Sequence, residues 1–374
     1  MVDFDAVVCL GEKTRTQPSL NFLLFLFFFF SALFVFPNVY AGQEALVTRD
    51  LHWVVTREKF ELAVERIRAG KEAQPRPPVI LSHGLLVNSS FLNLDEENSL
   101  ARYLAREGFD VWNLSFRGTG RSLAPLKNPP KSWDLDALVE QDIPQVIRFI
   151  LKETKSAKAG WIGYELGGML LYGYLGQKRD PGVAALVAIG APLTFNEPEQ
   201  GAIKNLLNLN DHQTVKNFLL YLNAPFLLRL MVPLMPKVEK LFYNPENLDD
   251  EVKEKLFDGA LAEVNPGVLE HLLLMLQRGE VVSAREDFRY REHLNRIQVP
   301  VLLVGGGEDS VAPPKALQQI HARLGSADRT LKIFGSKTKK ETAYGHFDLI
   351  LGKDARKEVF PVIGQWLKQR LGRR

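Results

Sequence analysis

The sequence predicts an α/β fold, with a mostly parallel sheet flanked by helices and one helical insertion. From residue 79 onward, short apolar runs typical of buried strands alternate with segments of helical periodicity. This is the pattern of parallel strands joined by crossover helices. Between residues 193 and 295 the alternation stops, and apolar residues recur at helical spacing with almost no strand pattern. We therefore expect residues 42–192 and 296–374 to form the core and residues 193–295 to form the insertion.

Residues 1–41 are predicted to lie outside the fold. Two basic residues precede an apolar run at 20–36, and Val39 and Ala41 suit the −3 and −1 positions of a cleavage site. This indicates a secretory signal peptide that is cut after Ala41. Acidic residues before the run, and a length close to that of a short membrane span, also fit an uncleaved anchor. We expect an exported protein, periplasmic or secreted, or one anchored to a membrane by this segment.

Composition narrows the classes of function. The chain has 374 residues and a net charge of +3, which is too small to indicate a nucleic-acid partner. Its only cysteine, Cys9, lies in the leader. The remainder therefore has no thiol for a disulfide, a thiolate metal site or a cysteine nucleophile. We expect no metal and no cofactor.

The first predicted elements form one edge of the sheet. Residues 52–67 alternate apolar and polar side chains in two runs around a charged turn, which favours an antiparallel pair of strands. A Pro-rich connection follows. The next strand, helix and strand are predicted at 79–82, 99–106 and 110–114.

In the middle of the core, two helices are predicted, one from its N-cap residue and one from the glycine-rich turn that precedes it. Asp142 is expected to be the N-cap of a helix that tolerates Pro144 in its first turn and runs to Thr154. A strand at 159–163 leads into a helix that starts at Leu166. The later elements are a strand at 183–189, a strand at 299–304, a helix at 314–324, a strand at 330–334 and a helix at 358–371.

The turn between strand 159–163 and the next helix carries the most informative residue. Gly163-Tyr164-Glu165-Leu166-Gly167 has the Gly-x-Ser-x-Gly pattern of the nucleophile elbow in α/β-hydrolases, with Glu165 in place of the serine. This turn exposes its central residue at the carboxyl edge of the sheet. The sequence therefore predicts a carboxylate where a hydroxyl nucleophile is expected.

Four further groups are expected beside Glu165. Asp309 and His346 follow predicted strands at the carboxyl edge of the sheet, where open α/β sheets bind ligands. The order elbow, acid, histidine is that of the α/β-hydrolase triad, in which the acid orients the histidine that moves protons. The backbone N–H groups of Leu85 and Leu166 are predicted to donate to a substrate oxyanion. Each residue alone could be structural, but the ordered set predicts a site of hydrolase ancestry.

Six further motifs lie along the core: His83-Gly84-Leu85-Leu86, Asn98-Ser99-Leu100-Ala101, Gly108-Phe109-Asp110-Val111-Trp112, Arg117-Gly118, Asp142-Ile143-Pro144 and Tyr344-Gly345-His346-Phe347-Asp348. Together they resemble the acid lipase branch, gastric and lysosomal, of the α/β-hydrolases, and polyhydroxyalkanoate synthase-like proteins share part of the pattern. The resemblance implies an α/β-hydrolase fold with a helical lid and a lipophilic, ester-like substrate. The elbow residue is serine in the lipases and typically cysteine in the synthases, so the chemical step does not carry over.

Three hypotheses for Glu165 remain open. It could be a nucleophile, as aspartate is in dehalogenases and epoxide hydrolases of this fold, although Leu166 replaces the dehalogenase tryptophan and residues 83–86 lack the epoxide-hydrolase proline. It could pair with His346 as an acid/base element, which would raise the histidine pKa and lower that of the carboxylate unless burial opposes it. Alternatively, the protein is a catalytically inactive pseudoenzyme that binds a lipid or a protein partner.

The insertion favours an apolar ligand. Its helices are rich in leucine and methionine, which suit an acyl pocket and peripheral membrane contact through the lid. The same residues could instead pack the insertion's own core. Substrate-binding residues cannot be assigned from this pattern.

Overall fold

The computed structural model describes residues 46–70, 76–125, 128, 130–177, 181–197, 229, 232, 236–335 and 342–372. The predicted leader, and residues 198–228 of the insertion, lie outside these ranges. In the described ranges, no helix is both long and apolar enough to cross a membrane.

Eight strands form one sheet in the order β1-β2-β4-β3-β5-β6-β7-β8. The β1–β2 and β2–β4 pairs are antiparallel and the other neighbours are parallel, so the predicted mostly parallel sheet is confirmed. The strands are β1 (Val47–Val55), β2 (Glu61–Ala69), β3 (Pro78–Ser82), β4 (Asp110–Leu114), β5 (Ala159–Tyr164), β6 (Val183–Ile189), β7 (Val301–Gly306) and β8 (Arg329–Phe334).

Helices cover both faces of this sheet. They are α1 (Leu100–Arg106), α2 (Leu135–Ala137), α3 (Ile143–Thr154), α4 (Leu166–Gln177), α5 (Pro236–Phe242), α6 (Asp250–Lys255), α7 (Pro266–Arg278), α8 (Pro314–Arg323), α9 (Asp348–Leu351) and α10 (Ala355–Arg370). Short 3₁₀ helices lie at Ser89–Leu92 and Tyr290–Arg296, and π-helical turns at Leu138–Asp142 and Leu256–Ala260.

Two apolar cores lie on opposite sides of the sheet because successive strand residues point to opposite faces. In β3, Ile80 packs with the core beneath α3 and α4, whereas Val79 and Leu81 pack with the core beneath α1 and α10. Both faces of β3 are therefore buried, which explains its unbroken apolar run.

The predicted antiparallel pair at the edge is confirmed. β1 and β2 pair along their whole length, with Val55 opposite Glu61, and β1 is the edge strand. The predicted helix after Ser99 is also confirmed as α1. The Ser99 hydroxyl caps this helix by accepting from the backbone N–H of Arg102 at 2.9 Å.

The prediction that Asp142 caps a helix is wrong. Helical structure already begins at Leu135, and Asp142 has helical backbone angles without a capping bond. Its carboxylate instead accepts two hydrogen bonds from Arg117, at 2.8 and 2.6 Å, and both side chains are buried. Arg117 also donates to Glu58 at 2.6 Å, in the turn between β1 and β2. The two motifs that contain Arg117 and Asp142 therefore meet as one ion pair.

The described part of residues 193–295 contains helices joined by loops, without a strand of the sheet. Val268, Leu269 and Met275 of α7 pack into the core beneath α3 and α4, and Val252 of α6 into the opposite core. These side chains pack against the sheet domain. The division into core and insertion stays a prediction.

We expect loss of the Arg117 side chain to destabilise the protein strongly. Burial raises the pKa of Asp142 to about 6, although Arg117 opposes this. The Arg117→Met variant would leave that carboxylate without its partner, at a cost of roughly 3–5 kcal/mol in the free energy of unfolding. The loss should be smaller at pH 5 than at pH 8, because the buried carboxyl can then take up a proton. Urea unfolding at both pH values measures it.

The matched control is Arg68→Met, since Arg68 pairs with Asp50 at the surface, at 2.6 Å. Exposed pairs contribute no more than about 1 kcal/mol. An Arg117 variant that is no less stable than the control would contradict the argument.

Candidate active site

The elbow is formed by close backbone packing. β5 ends at Tyr164, α4 begins at Leu166, and Glu165 between them has a φ of 45°. A Cβ at Gly163 would lie 2.3 Å from the backbone nitrogen of Gly168, and one at Gly167 would lie 2.4 Å from Ser82 Oγ. Neither position can hold a larger residue without movement of the turn. A left-handed non-glycine residue is strained, and such strain is typical of functional sites.

The Glu165 carboxylate lies against both predicted oxyanion donors. Its Oε2 accepts from the backbone N–H of Leu85 at 2.5 Å. The backbone N–H of Leu166 also favours the ionised form of this carboxylate and lowers its pKa. The Leu85 N–H, predicted to donate to a substrate oxygen, thus donates to the protein's own side chain.

Asp309 and His346 form the second part of the site. His346 Nδ1 lies 2.8 Å from Asp309 Oδ2, and both side chains are buried. Asp309 Oδ1 accepts from the backbone N–H groups of Val311 and Ala312, each at 2.8 Å. Asp309 therefore both organises its own turn and orients the imidazole.

The elbow and the histidine loop are tied together by Tyr164. Its hydroxyl donates to the backbone carbonyl of His346 at 3.1 Å, and the two rings are 5.1 Å apart. Gly190, at the end of β6, has a φ of 56°, and a Cβ there would lie 3.1 Å from His346 Cε1. The structure thus brings Glu165, Asp309 and His346 to one edge of the sheet.

Burial and charge compete in this site. Burial raises the pKa of Glu165 even though His346 and the two backbone N–H groups favour ionisation. For His346, burial opposes protonation, but the Asp309 and Glu165 carboxylates outweigh it and the pKa is raised. The predicted direction for the histidine is therefore confirmed. For the carboxylate, burial prevails over the expected lowering.

A small cavity adjoins the oxyanion donors. It measures about 30 Å³, which is close to the volume of one water molecule. Its apolar walls include Leu85, Trp133, Leu166 and Val268. An acyl chain would need this cavity to widen.

Comparisons with known proteins identify the family of this chain. Residues 77–353 match the family model described as alpha/beta hydrolase fold. The chain belongs to the α/β-hydrolase family.

Curated relatives of this α/β-hydrolase confirm the resemblance to acid lipases. A probable lipase of Schizosaccharomyces pombe is 24% identical over 355 residues, which cover 85% of this chain and 74% of that protein. Human lipase member K is 25% identical over 350 residues, covering 82% and 84%. Gastric triacylglycerol lipase of Bos taurus is 31% identical over 150 residues, covering 37% of each chain.

Solved structures show the same fold. An esterase of Exiguobacterium antarcticum superposes with a TM-score of 0.57 at 18% identity, covering 84% of this chain and 98% of that one. An esterase of Thermogutta terrifontis gives 0.58 at 18% identity, with coverage of 87% and 100%.

His83 was not singled out by the sequence analysis, yet it fixes the loop that carries Leu85. Its Nε2 accepts from the backbone N–H of Phe116 at 3.1 Å, so Nδ1 carries the proton and donates to the Gly84 carbonyl at 2.8 Å. Burial lowers the pKa of His83 to about 4, so the ring stays neutral. Its position directly after β3 was the available signal.

Asn88 connects the same loop to the insertion. Its side-chain amide donates to the carbonyls of Gly259 and Leu261, at 3.0 and 3.2 Å. Its backbone N–H donates to Ala260, and the N–H of Ala262 donates to the Leu86 carbonyl, both at 2.9 Å. No sequence pattern indicates this contact, because its two sides lie far apart in the chain.

We expect Gly190→Ala to disturb the His346–Asp309 pair. The added methyl group would meet the imidazole at 3.1 Å and Asp309 Oδ2 at 3.5 Å, in a left-handed backbone. Gly70→Ala is the matched control, because Gly70 has a φ of 62° but no atom within 4 Å of an added Cβ. The control should lose only about 1–2 kcal/mol through backbone strain.

The Gly190 variant should lose at least about 1 kcal/mol more, through overpacking. The NMR titration curve of the His346 imidazole should also shift in this variant, whereas the control should leave it unchanged. Equal stabilities and unchanged imidazole signals in both variants would show that Gly190 is not required for this packing.

Proposed function

We propose that this α/β-hydrolase, of lipase and esterase descent, hydrolyses a lipophilic substrate by using Glu165 as a carboxylate nucleophile at a saturated carbon. The observation that carries the proposal is the 2.5 Å hydrogen bond from the Leu85 N–H to Glu165 Oε2. It holds Oε2 on the N–H of Leu85, and in this proposal the other oxygen, Oε1, is the attacking atom.

Attack on an ester carbonyl is disfavoured by the same contact. A serine-type reaction places the developing oxyanion of the substrate on the two backbone donors. In this protein Glu165 already occupies one of them, the N–H of Leu85. The ester-like substrate that the lipase resemblance implies would therefore need displacement of the carboxylate, whereas substitution at an alkyl carbon would not.

The first step forms an ester between the enzyme and the substrate. Oε1 of the ionised carboxylate bonds to the electrophilic carbon, and the bond from that carbon to its leaving group breaks with its electron pair. A halide leaves as the anion. An epoxide oxygen stays attached to the neighbouring carbon and takes a proton from water. The carbonyl oxygen of the new ester is Oε2, which is already on the Leu85 N–H.

The second step releases the product. His346, oriented by Asp309, takes a proton from water, and the hydroxide adds to the carbonyl carbon of the ester. The backbone donors stabilise the oxyanion on Oε2. Collapse expels the alkoxide, which recovers the proton from His346 and leaves Glu165 as the carboxylic acid. This acid then releases its proton to water, and the carboxylate is regenerated. The net reaction consumes one water and yields a diol from an epoxide, or an alcohol, a halide ion and a proton from an alkyl halide.

The raised pKa values set the pH dependence. Glu165 must be ionised to attack, and its pKa lies above the ordinary value, so alkylation should increase as pH rises through that pKa. His346 must be neutral to accept a proton, and its pKa is raised as well, so hydrolysis of the ester should also increase with pH.

The lipophilic substrate class is supported by the apolar cavity walls and by relatives that are named lipases. Export is supported by the apolar run and cleavage pattern in residues 20–41. Membrane contact through the lid stays a prediction, because residues 198–228 are outside the described ranges.

A second candidate function is ligand binding without turnover. It is favoured by the hydrogen bond from the Leu85 N–H to Glu165, which keeps that donor from a substrate oxyanion. The hypothesis that Glu165 and His346 act as an acid/base pair is supported by their electrostatic interaction. His346 lowers the pKa of Glu165, and Glu165 raises the pKa of His346.

We expect His346→Gln to accumulate a covalent adduct on Glu165 when it is incubated with a long-chain terminal epoxide or alkyl bromide. Alkylation needs only the carboxylate, whereas release needs the base. Intact mass should increase by the mass of the epoxide, or, once the carboxylate has displaced bromide, by that of the alkyl group in place of one hydrogen. Peptide mapping should locate the change at Glu165.

Glu165→Gln within the His346→Gln background is the matched control and should remain unlabelled. Absence of an adduct across chain lengths, together with ligand binding by fluorescence displacement, would replace the nucleophile proposal with the binding function. Turnover that is retained in Glu165→Gln but lost in His346→Gln would indicate that His346 acts as the base and that Glu165 is not the nucleophile.

We also expect Glu165→Ser to gain esterase activity on p-nitrophenyl butyrate. The substitution frees the donors and provides a hydroxyl near His346. An oxyanion site of this kind is worth about 10²–10³-fold in rate, so we expect at least about 100-fold over wild type.

Glu165→Ala is the control, because it frees the donors without supplying a nucleophile. If wild type hydrolyses the ester as fast as Glu165→Ser, the substrate carbonyl reaches the donors despite Glu165, and the argument against ester hydrolysis is wrong.

A further inference from the structure

Asp348 is a buried carboxylate that lies two residues after His346 in the chain. It is the first residue of α9, and its surface is 0% exposed. The reaction proposed above does not use it. Because a carboxylate is costly to bury unless hydrogen bonds compensate it, its partners indicate what it does in the fold.

One oxygen of Asp348 joins the histidine loop to the segment that follows α5. Oδ2 accepts from the backbone N–H of Gly345, the residue before His346, and from the backbone N–H of Asn244 at 2.9 Å. A Cβ at Gly345 would lie 2.8 Å from this oxygen, so the carboxylate and the loop backbone are closely packed. A single atom thus holds two segments that lie far apart in the chain.

Further hydrogen bonds connect the same two segments. The backbone N–H of Phe347 donates to the carbonyl of Phe242 at 2.7 Å. The side-chain amides of Asn244 and Asn247 both donate to the carbonyl of Ala343, at 3.3 and 3.2 Å. The histidine is therefore flanked on both sides by hydrogen bonds to the segment that follows α5.

The other oxygen of Asp348 is free to take up a proton. Oδ1 is buried and makes no hydrogen bond within the part of the chain that the structure describes. Burial raises the pKa of Asp348 to about 7, although the two backbone N–H groups oppose this. Protonation at Oδ1 would break neither hydrogen bond of Oδ2, so the charge can change while the geometry is retained.

The charge of Asp348 also acts on the imidazole. Burial opposes protonation of His346, but the carboxylates of Asp309, Glu165 and Asp348 together raise its pKa. In return, Asp309 raises the pKa of Asp348 and His346 lowers it. The other titratable groups that face Asp348 are three tyrosines, which burial and nearby carboxylates keep neutral by raising their pKa values: Tyr164, Tyr243 and Tyr344.

We propose that Asp348 is a positioning residue for His346, because its Oδ2 fixes the backbone of Gly345 to the segment after α5. This inference rests on the function proposed above, in which His346 activates the water that hydrolyses the ester. A general base must lie within hydrogen-bond reach of the proton that it takes. A displacement of about 1 Å can cost on the order of 100-fold in rate. Asp348 therefore supports release of the product and not alkylation of Glu165.

Two substitutions of Asp348 separate its hydrogen bonds from its charge. In Asp348→Asn, the amide oxygen can still accept from both backbone N–H groups, so the geometry is kept and the charge is lost. Asp348→Ala removes both. The matched control is Asp136→Ala, because Asp136 of α2 is also a buried carboxylate and accepts from the backbone N–H of Ala284 at 2.9 Å.

Single-turnover reactions with a long-chain terminal epoxide, quenched at intervals for intact mass, measure formation and decay of the adduct on Glu165. We expect Asp348→Ala to form the adduct at the wild-type rate and to release it on the order of 10–100-fold more slowly. Asp348→Asn should restore release at high pH. Its pH profile of release should move to lower pH, because His346 loses a carboxylate that raises its pKa. Asp136→Ala should release the adduct as wild type does, even where it melts at a lower temperature.

A proton NMR signal provides a measurement that needs no turnover. His346 Nδ1 lies 2.8 Å from Asp309 Oδ2, and the proton between them should give a downfield signal that is absent in His346→Gln. We expect this signal to persist in Asp348→Asn and Asp136→Ala and to broaden or vanish in Asp348→Ala.

An unchanged signal and unchanged release in Asp348→Ala would overturn the proposal. Equal losses of release in Asp348→Asn and Asp348→Ala, or the same loss in Asp136→Ala, would overturn it as well. If no protein forms an adduct, the function proposed above fails, and the NMR signal alone decides the role of Asp348. If Asp348→Ala does not fold, Gly345→Ala replaces it, since its methyl group would meet Asp348 Oδ2 at 2.8 Å and disturb the same contact.

Discussion

The hydrogen bond between the Leu85 N–H and Glu165 Oε2 is the interaction on which the chemistry of this site depends. It exists because the elbow holds residue 165 in a left-handed conformation against the loop after β3. His83 and Asn88 hold that loop from two sides. A carboxylate at this position becomes an internal ligand of the donors, and this decides which substrates can use them.

The Asp309–His346 pair gives the site its second constraint. Two buried groups with a shared proton are stable only when their hydrogen bonds are satisfied. Asp309 meets this requirement with two backbone N–H groups and the imidazole. His346 is therefore held in one orientation. The ionisation of the other carboxylate of the site, Glu165, is opposed by burial.

Much of the fold could be predicted because its signals are local. Apolar runs located the strands of the core, and the glycines around Glu165 located the turn. Asp142 shows the limit: a carboxylate before a helix resembles a cap, but its partner Arg117 lies 25 residues away and only the tertiary structure brings them together. The sequence likewise predicted that Glu165, Asp309 and His346 lie at one edge of the sheet, but not that Glu165 would accept the hydrogen bond of Leu85, since this depends on side-chain reach.

The contact between Asn88 and residues 259–262 joins the predicted insertion to the loop that carries Leu85. This segment of the insertion is bonded to the loop that carries Leu85 by two side-chain and two backbone hydrogen bonds. Displacement of the segment must either break these bonds or pull the loop along. In the second case, movement of residues 259–262 would also move the Leu85 N–H away from Glu165. One movement would then both open the site and release the carboxylate from its hydrogen bond.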